Sequence, residues 1–422
     1  MLSIRQPCIT HVTPFYAPFV GGAETYLGEI CRRQAQAGYR VIVLTSNAAE
    51  VNRTWSPMGA SISMMTELLD GVEIIRSPIS HLPLAPFSFY ALRRFMILVA
   101  PYAPLKFMKK LGTQIPRMPN LARQLQALPH IDVLHAANIA IESPMLAGIT
   151  EAQQRHTRIA ATPFVHVGKP TVMRNYVMPH QLAALRAAQV VFVQTQLERD
   201  ALIALGVPPQ TLQPLGMGVN LSAAQTASAE RFRARHQVAA DEPIILFMGS
   251  MTFDKGAIHT LQAMQRLWGK GLRARLVFAG HPPLPGGFEQ AWQLLPPSLR
   301  TNVLRLGVVA GQTKQDMLAA ASMLVMPSRV DSFGIVFLEA WMHRKPVIGA
   351  SAGGIPDVIA HDQDGFLVPF GEPDILAERI AQLCAEPKLA QHMGEHGHRK
   401  VEQHYTWDIV YERWQAGLGL IP

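Results

Sequence analysis

Twice along this chain a short apolar run breaks off in a glycine-bearing loop, gives way to a helical pattern and returns to a second apolar run. The first instance is CITHVT, the loop PFYAPFVGG, then AETYLGEICRRQAQAG and YRVIVLTS. The second is IILFMGS, the loop MTFDKG, a helical stretch through Leu261, Met264 and Trp268, and ARLVFAG. In the first helix Ala23, Leu27, Ile30 and Cys31 recur at helical spacing, and Gly38 follows as a stop signal. VLRLGVV, SMLVMPS, KPVIGAS and GFLVPF continue the pattern as short buried-strand runs closed by turn residues. Alternation of this kind specifies β-α-β units and parallel sheets, so the chain is expected to fold as two α/β domains.

A length of 422 residues agrees with that reading. We expect an N-terminal domain over 1–220, a second over 221–400, and a helical segment over 401–422 that packs back on the first. Between the domains, QPLGMGVNLSAAQTASAERFRARH is rich in Gly, Ser and Ala and is expected to be a linker without a strand, with a cleft beside it. No repeat occurs at a solenoid period.

Composition narrows the class. With 49% apolar and 16% charged residues, disorder is excluded. The three cysteines, Cys8, Cys31 and Cys384, lack paired spacing, which argues against a cysteine zinc site and for a reducing compartment. The start MLSIRQPCITHV has no signal-peptide apolar run, and FMILVAPYAPL is too short and proline-rich to span a bilayer. A cytoplasmic location is therefore expected.

The net charge of +8 resides in residues 1–220, the rest being balanced. Between Glu73 and Asp132 there is no acid, whereas Arg76, Arg93, Arg94, Lys106, Lys109, Lys110, Arg117 and Arg123 all fall there. Residues 74–131 interleave these cations with Leu84, Phe87, Phe89, Tyr90, Phe95, Leu98, Tyr102 and Phe107, a mixture suited to an anionic lipid surface at the inner face of a membrane. An apolar core flanked by solvated cations is the plainer alternative. Nucleic acid is disfavoured, because no recognised binding motif accompanies the charge.

Ligands of doubly wound domains bind beyond the carboxyl ends of the strands. Gly21 and Gly22 stand in such a loop, where bare backbone approaches a phosphate or sugar, or simply turns. Lys255 in GSMTFDKG is placed to neutralise a diphosphate, or to be solvated. In SRVDSFGIVFLEAW, Asp331 and Glu339 are eight apart, and Ser332, Phe333 and Gly334 are expected to open a helix with Glu339 about two turns in. Acids beside helix-start amides suit a sugar nucleotide, offering acceptors to hydroxyls and donors to phosphate. Helix capping by Asp331 or Ser332 accounts for the pattern equally well.

That last run resembles the E-x7-E motif of retaining GT-B glycosyltransferases, the large group that includes sucrose synthases. FVGGAETYLGEICRRQAQAGYRVIVLTS, LERDALIALGV, PLGMGVN, LFMGSMTFDKGAIHTLQAM and GGIPDVIAHDQDGFLVPFGEPDILAERI resemble further parts of these enzymes in the same order. The resemblance implies a GT-B architecture, two facing Rossmann-like domains with a donor/acceptor cleft. It also implies a nucleotide-diphosphate sugar as co-substrate, no bound cofactor and no obligatory divalent metal. By position, Lys255 would bind the donor diphosphate, Asp331 the transferred sugar and Glu339 the ribose, and the amides around Ser332, Phe333 and Gly334 would contact diphosphate or sugar. Gly21 and Gly22 would close on the donor, and His166 in TPFVH resembles the family's sugar-side histidine, although a buried core histidine has the same look.

Three positions depart from the family pattern. Asp331 stands where Glu is usual, Ser250 where an arginine joins the lysine, and Ala137 where a second histidine follows His135. Arg329 is a candidate replacement for the missing cation. Two other patterns carry little: Asp362-Gln363-Asp364 precedes Gly365 and is expected to be a turn, and His392, His396 and His398 are expected on a solvated face of a helix weakened by Gly394 and Gly397. The sequence thus points to a retaining hexosyltransferase acting on a glycan or lipid-linked acceptor. A catalytically silent sugar-nucleotide or glycan binder, or a sugar-nucleotide epimerase, is the alternative.

Overall fold

A computed structural model describes residues 6–168, 170–281 and 287–419. Residues 1–5, on which part of the reading of the chain's start rests, lie outside them, as do 420–422 at the end of the C-terminal segment. The chain divides into two compact units: unit 1 comprises Met1–Val165, Lys169–Leu215 and Tyr411–Pro422, and unit 2 comprises His166–Gly168 and Gly216–Val410.

Unit 1 is built on eight strands: β1 (Cys8–Val12), β2 (Arg40–Ser46), β3 (Thr66–Leu69), β4 (Val72–Ser77), β5 (Val133–Ala137), β6 (Arg158–Thr162), β7 (Val190–Val193) and β8 (Leu212–Pro214). Their order is β3-β4-β2-β1-β5-β6-β7-β8, and only the β3–β4 pair is antiparallel. Strand order reverses at β1, which pairs with β2 on one side and β5 on the other. Helix α1 (Gly22–Gln36) packs Leu27, Ile30 and Cys31 inward as the apolar spacing predicts, with Tyr26 added to that face and Ala23 only half-buried. Pro214, which lacks a ladder donor, is tolerated because β8 is an edge strand.

Unit 2 carries a six-stranded parallel sheet: β9 (Ile244–Met248), β10 (Arg275–Ala279), β11 (Val303–Arg305), β12 (Met323–Met326), β13 (Val347–Ala350) and β14 (Gly365–Val368). The order β11-β10-β9-β12-β13-β14 is the 3-2-1-4-5-6 arrangement of a dinucleotide-binding fold, with its switch point between β9 and β12. Two parallel-sheet α/β domains are the architecture typical of GT-B.

Several local expectations are corrected. The stretch expected to be a linker holds β8 and a helix, Ala229–His236, whose first turn is capped by Ser228 Oγ accepting from Arg231 N at 3.2 Å and which buries Phe232. Its few apolar residues hid the helix, since one buried phenylalanine anchors it. The helix Pro387–His404 is continuous through Gly394 and Gly397. These glycines are there for close approach: a Cβ on Gly394 would sit 2.0 Å from the Arg344 carbonyl oxygen, and one on Gly397 2.0 Å from the Trp341 indole. His398 is correspondingly buried, with Nδ1 3.1 Å from the Trp341 carbonyl, while the rings of His392 and His396 meet at a tilt with centroids 4.3 Å apart. Asp362 occupies a left-handed turn position (φ 64°), and Asp364 is buried against Lys400 and the Ala360 amide.

The acid-free stretch forms α2 (Phe87–Val99), α3 (Leu105–Gly112) and α4 (Leu121–Ala127). Not all its cations face outward. Arg76 is 1% exposed and bonds Glu67, with further donations to the carbonyls of Met64 and Ala17. Arg93 pairs with the buried Glu142. An acid missing from the local sequence is thus supplied from 49 residues away. Arg94, Lys106, Lys110, Arg117 and Arg123 are exposed and Lys109 is half-buried.

Candidate functional site

The switch point of unit 2 dictates what the loops after β9 and β12 bring together. Beyond β9 the chain turns through Gly249 (φ 154°) and Ser250 to Lys255, and Gly256 then starts the helix Ala257–Gly269 in the left-handed conformation (φ 79°). A Cβ at Gly256 would lie 2.4 Å from the Pro327 carbonyl oxygen, so the two loops touch through bare backbone. Beyond β12 the chain runs through Arg329 and Asp331 to Gly334 (φ 87°), which precedes the helix Ile335–Met342. The helix therefore begins after Ser332 and Phe333, and Glu339 is its fifth residue, a shorter approach than two turns.

Across these loops Lys255 Nζ donates to Asp331 Oδ1 at 2.8 Å. The other oxygen, Asp331 Oδ2, is buried without a hydrogen-bond partner. Glu339 repeats the arrangement: Lys314 Nζ donates to its Oε1 at 2.6 Å, while Oε2 is buried and unpartnered. Each motif carboxylate thus has one oxygen fixed by a lysine and one acceptor unspent. Buried polar atoms are usually paired, and these two oxygens belong to the two acids of one motif, although further buried polar atoms elsewhere in the chain also lack partners. Burial works to raise the Asp331 pKa, but the Lys255 charge and hydrogen bond, with smaller help from the Ser328 hydroxyl and His166, outweigh it and hold the carboxyl below its ordinary value.

His166 belongs to the same unit. Burial and then the Lys255 charge lower its pKa to about 4, against smaller opposing effects of Asp331 and Asp254, so its imidazole is neutral at pH 7. Ser250 is half-buried in the loop ahead of Lys255, and Phe333 is 3% exposed with its ring 5.5 Å from that of Tyr405, leaving only its backbone to meet a ligand. Arg329, the candidate replacement for the missing cation, pairs its guanidinium with Asp254 at 2.6 Å and lies over the rings of Phe253 and Phe370, at 5.1 and 5.2 Å.

Gly21 and Gly22 lie in unit 1, ahead of and opening α1. The Glu24 carboxylate folds back over Gly21, and burial raises its pKa to about 7. Sequence reasoning passed over Glu24, although an acid in the first turn after a Gly-Gly pair was a usable signal. It also missed Lys314, for which no local signal existed, because its partner is 25 residues away. His135 lies in the unit 1 core: its Nδ1 is 3.0 Å from His11 Nδ1 and its Nε2 2.8 Å from Thr162 Oγ1. Among the described residues no group of three or more His, Cys, Asp or Glu forms a metal site, and no helix is long and apolar enough to cross a membrane.

Comparisons with known proteins bear on both units. Residues 228–400 match the family Glycosyl transferases group 1, and residues 21–218 match the Glycosyl transferase 4-like domain. An uncharacterized glycosyltransferase of Methanocaldococcus jannaschii is 28% identical over 236 residues, covering 54% of this chain and 59% of that protein. A D-inositol 3-phosphate glycosyltransferase of Streptomyces bingchenggensis is 33% identical over 235 residues, covering 53% and 50%. The matched stretches thus span little more than half the length of these relatives. A crystal structure of Anabaena HepE with UDP and glucose shares the fold at TM-score 0.74 and 17% identity, covering 98% of this chain and 100% of that one.

Proposed function

Because the chain belongs to the GT-B glycosyltransferases, we propose that it transfers a hexosyl group, with retained anomeric configuration, from a nucleotide-diphosphate sugar to a lipid-linked or cell-surface glycan acceptor. The observation that carries this reading is the pair of lysine-held carboxylates in unit 2, each with a buried oxygen unspent. An ammonium has three N–H donors. Lys255 spends one on Asp331, which aims the other two, and these take the oxygens of the donor diphosphate. Asp331 Oδ2 accepts from hydroxyls of the transferred sugar, Glu339 Oε2 accepts from the ribose, and the amides ahead of the helix Ile335–Met342 meet phosphate oxygens.

In the transfer the bond from the anomeric carbon to the diphosphate oxygen breaks, and the acceptor hydroxyl bonds the same carbon from the same face. The acceptor proton passes to the departing phosphate. Negative charge grows on the diphosphate as it leaves, and Lys255, already oriented, stabilises it without reorganisation. The neutral His166 is suited to hydrogen-bond the sugar rather than to add positive charge. Solved neighbours include one holding UDP and glucose, which supports a nucleotide sugar as donor. Ser250 supplies a neutral hydroxyl where a second cation is usual, so Lys255 carries the diphosphate charge. The reaction needs no obligatory metal, and the enzyme works at the cytoplasmic face of an anionic membrane.

The test is a thermal-shift panel of nucleotide-diphosphate sugars followed by product analysis. A saturating donor at a hundred times its Kd adds about 2.7 kcal/mol. Stabilisation by at least one nucleotide sugar, and an acceptor-dependent product with the donor's anomeric configuration, is the expected result. Product formed without any acceptor favours an epimerase, and donor binding without turnover favours a silent binder.

A further inference from the structure

Unit 1 holds a cavity of about 270 Å³ near the carboxyl edge of its sheet, at the small end of ligand pockets, which begin near roughly 300 Å³. Thr54 and Trp55, on the chain after β2, and Ala140 and Ile141, after β5, form two walls, and α2 forms a third with Phe89 and Tyr90. The β5 loop stands beside the reversal of strand order at β1, where open α/β sheets take their ligands.

Two of the cavity's polar side chains, Arg93 and Thr54, are already committed. Arg93 pairs with Glu142, which also meets His180, and donates to the Asn175 carbonyl at 2.6 Å. Thr54 Oγ1 donates to the Val51 carbonyl at 2.7 Å. What the cavity offers is rings and aliphatic carbon. A sugar or nucleotide, which must replace its hydrogen bonds to water, is poorly served there, whereas a hydrocarbon chain needs none.

The surface around it says where such a chain comes from. Tyr90 is both a wall of the cavity and 49% exposed, and Phe87 and Leu98, at 78% and 73% exposed, share its helical face at spacings of three and eight. Tyr102 and, on α3, Phe107 extend the apolar exposure. Arg94, exposed on the same helical face, stands four residues from both Tyr90 and Leu98, and Lys106 and Lys110 are exposed on α3. Exposed apolar side chains interspersed with exposed cations complement an anionic bilayer.

We infer that α2 and α3 rest on an anionic lipid bilayer and that the cavity beside α2 seats one alkyl chain of the lipid bearing the acceptor. Calling that lipid the acceptor rests on the glycosyltransferase reading; the seating of the chain does not.

The experiment uses vesicles of phosphatidylglycerol and phosphatidylcholine with brominated acyl chains, which quench indole fluorescence on contact. Quenching of the full-length protein by anionic vesicles is expected to contain a component absent from Trp55→Phe. Ala140→Phe, whose added ring fills the cavity, is expected to cosediment with the vesicles and lose the same component. Phe87→Ser with Leu98→Ser is expected to lower vesicle partitioning at least tenfold. Identical quenching in Trp55→Phe, equal binding to pure phosphatidylcholine, or no vesicle binding overturns the inference, and Trp55→Phe decides it even if Ala140→Phe fails to fold. Nucleotide-sugar binding measured without vesicles separates the two readings. If it is absent while the Trp55 component stands, the transferase reading fails and the lipid site survives; the reverse pattern overturns the lipid site alone.

Discussion

The two sheets share one topological device and use it for opposite chemistry. In unit 2 the loops at the strand reversal bring a lysine to a carboxylate, Lys255 on Asp331 at 2.8 Å, and leave the second carboxylate oxygen open. In unit 1 the two strands at the reversal carry His11 and His135 toward each other, with Nδ1 atoms 3.0 Å apart, and Gln34, Thr162 and the Trp414 ring close around them. Burial keeps both imidazoles neutral. The histidine pair of unit 1 is bonded within its own core, although Gln34 Nε2 and Trp414 Nε1 beside it are buried without partners; the exposed cations lie on α2 and α3, and the cavity is apolar. The fold offers a crevice; the loop residues decide whether that crevice is lined by charge or by hydrocarbon.

The sharpest way to break this comparison is to remove the charge from the unit 2 reversal. Lys255→Ala is expected to lower kcat about 10²–10³-fold, the scale of losing a preorganised donor to a developing charge. Ser250→Ala, a neutral hydroxyl on the same loop, is expected to cost less than about tenfold. Equal losses in the two variants, measured with saturating donor, remove Lys255 from the diphosphate.

In unit 1 the expected damage is to stability instead. Arg93→Gln strands the buried Glu142 beside His180 and is expected to cost about 3 kcal/mol in urea unfolding. Arg94→Gln, exposed one residue later, is expected to stay within about 0.5 kcal/mol. Matching midpoints for these neighbours mean that Arg93 is a surface cation after all.

Carboxylate variants sharpen the unit 2 side. Glu339→Gln is expected to weaken a nucleotide sugar and its free nucleoside diphosphate alike, about ten- to hundredfold for a charge-assisted bond. Asp331→Asn is expected to weaken the nucleotide sugar by a similar factor and the free nucleotide less, since Lys255 keeps donors for phosphate. Calorimetry with both ligands reads the difference, and equal weakening by Asp331→Asn leaves it a loop-fixing role only.

The smallest effect follows from the unit 1 histidines. His11 has a folded pKa of about 4 against an ordinary value near 6.5, so below that value the unfolded chain binds the proton more readily. Stability is fully present above pH 6.5 and falls as pH drops toward 4. Roughly 2 kcal/mol is lost by pH 5 from this group, and His11→Leu is expected to flatten the decline in Tm between pH 7 and 5. An unchanged slope assigns the acid sensitivity elsewhere, for instance to His166 in unit 2.

By itself the sequence determined the alternation of strands and helices, and with it two parallel sheets whose carboxyl-end loops hold Gly21, Gly22, Lys255 and Asp331. That information is local, because apolar periodicity and glycine stops act over one element at a time. Partnerships were beyond its reach. Nothing near Lys314 announces Glu339, nothing near Arg93 announces Glu142, and His11 meets His135 from 124 residues away. Strand order brought these groups together, and burial then fixed which charges pair and which are neutralised. So a run that looked uniformly basic became two structural arginines and an exposed set of cations. A helix that looked glycine-weakened became the close seat of Trp341, because the missing side chains are what let the indole approach.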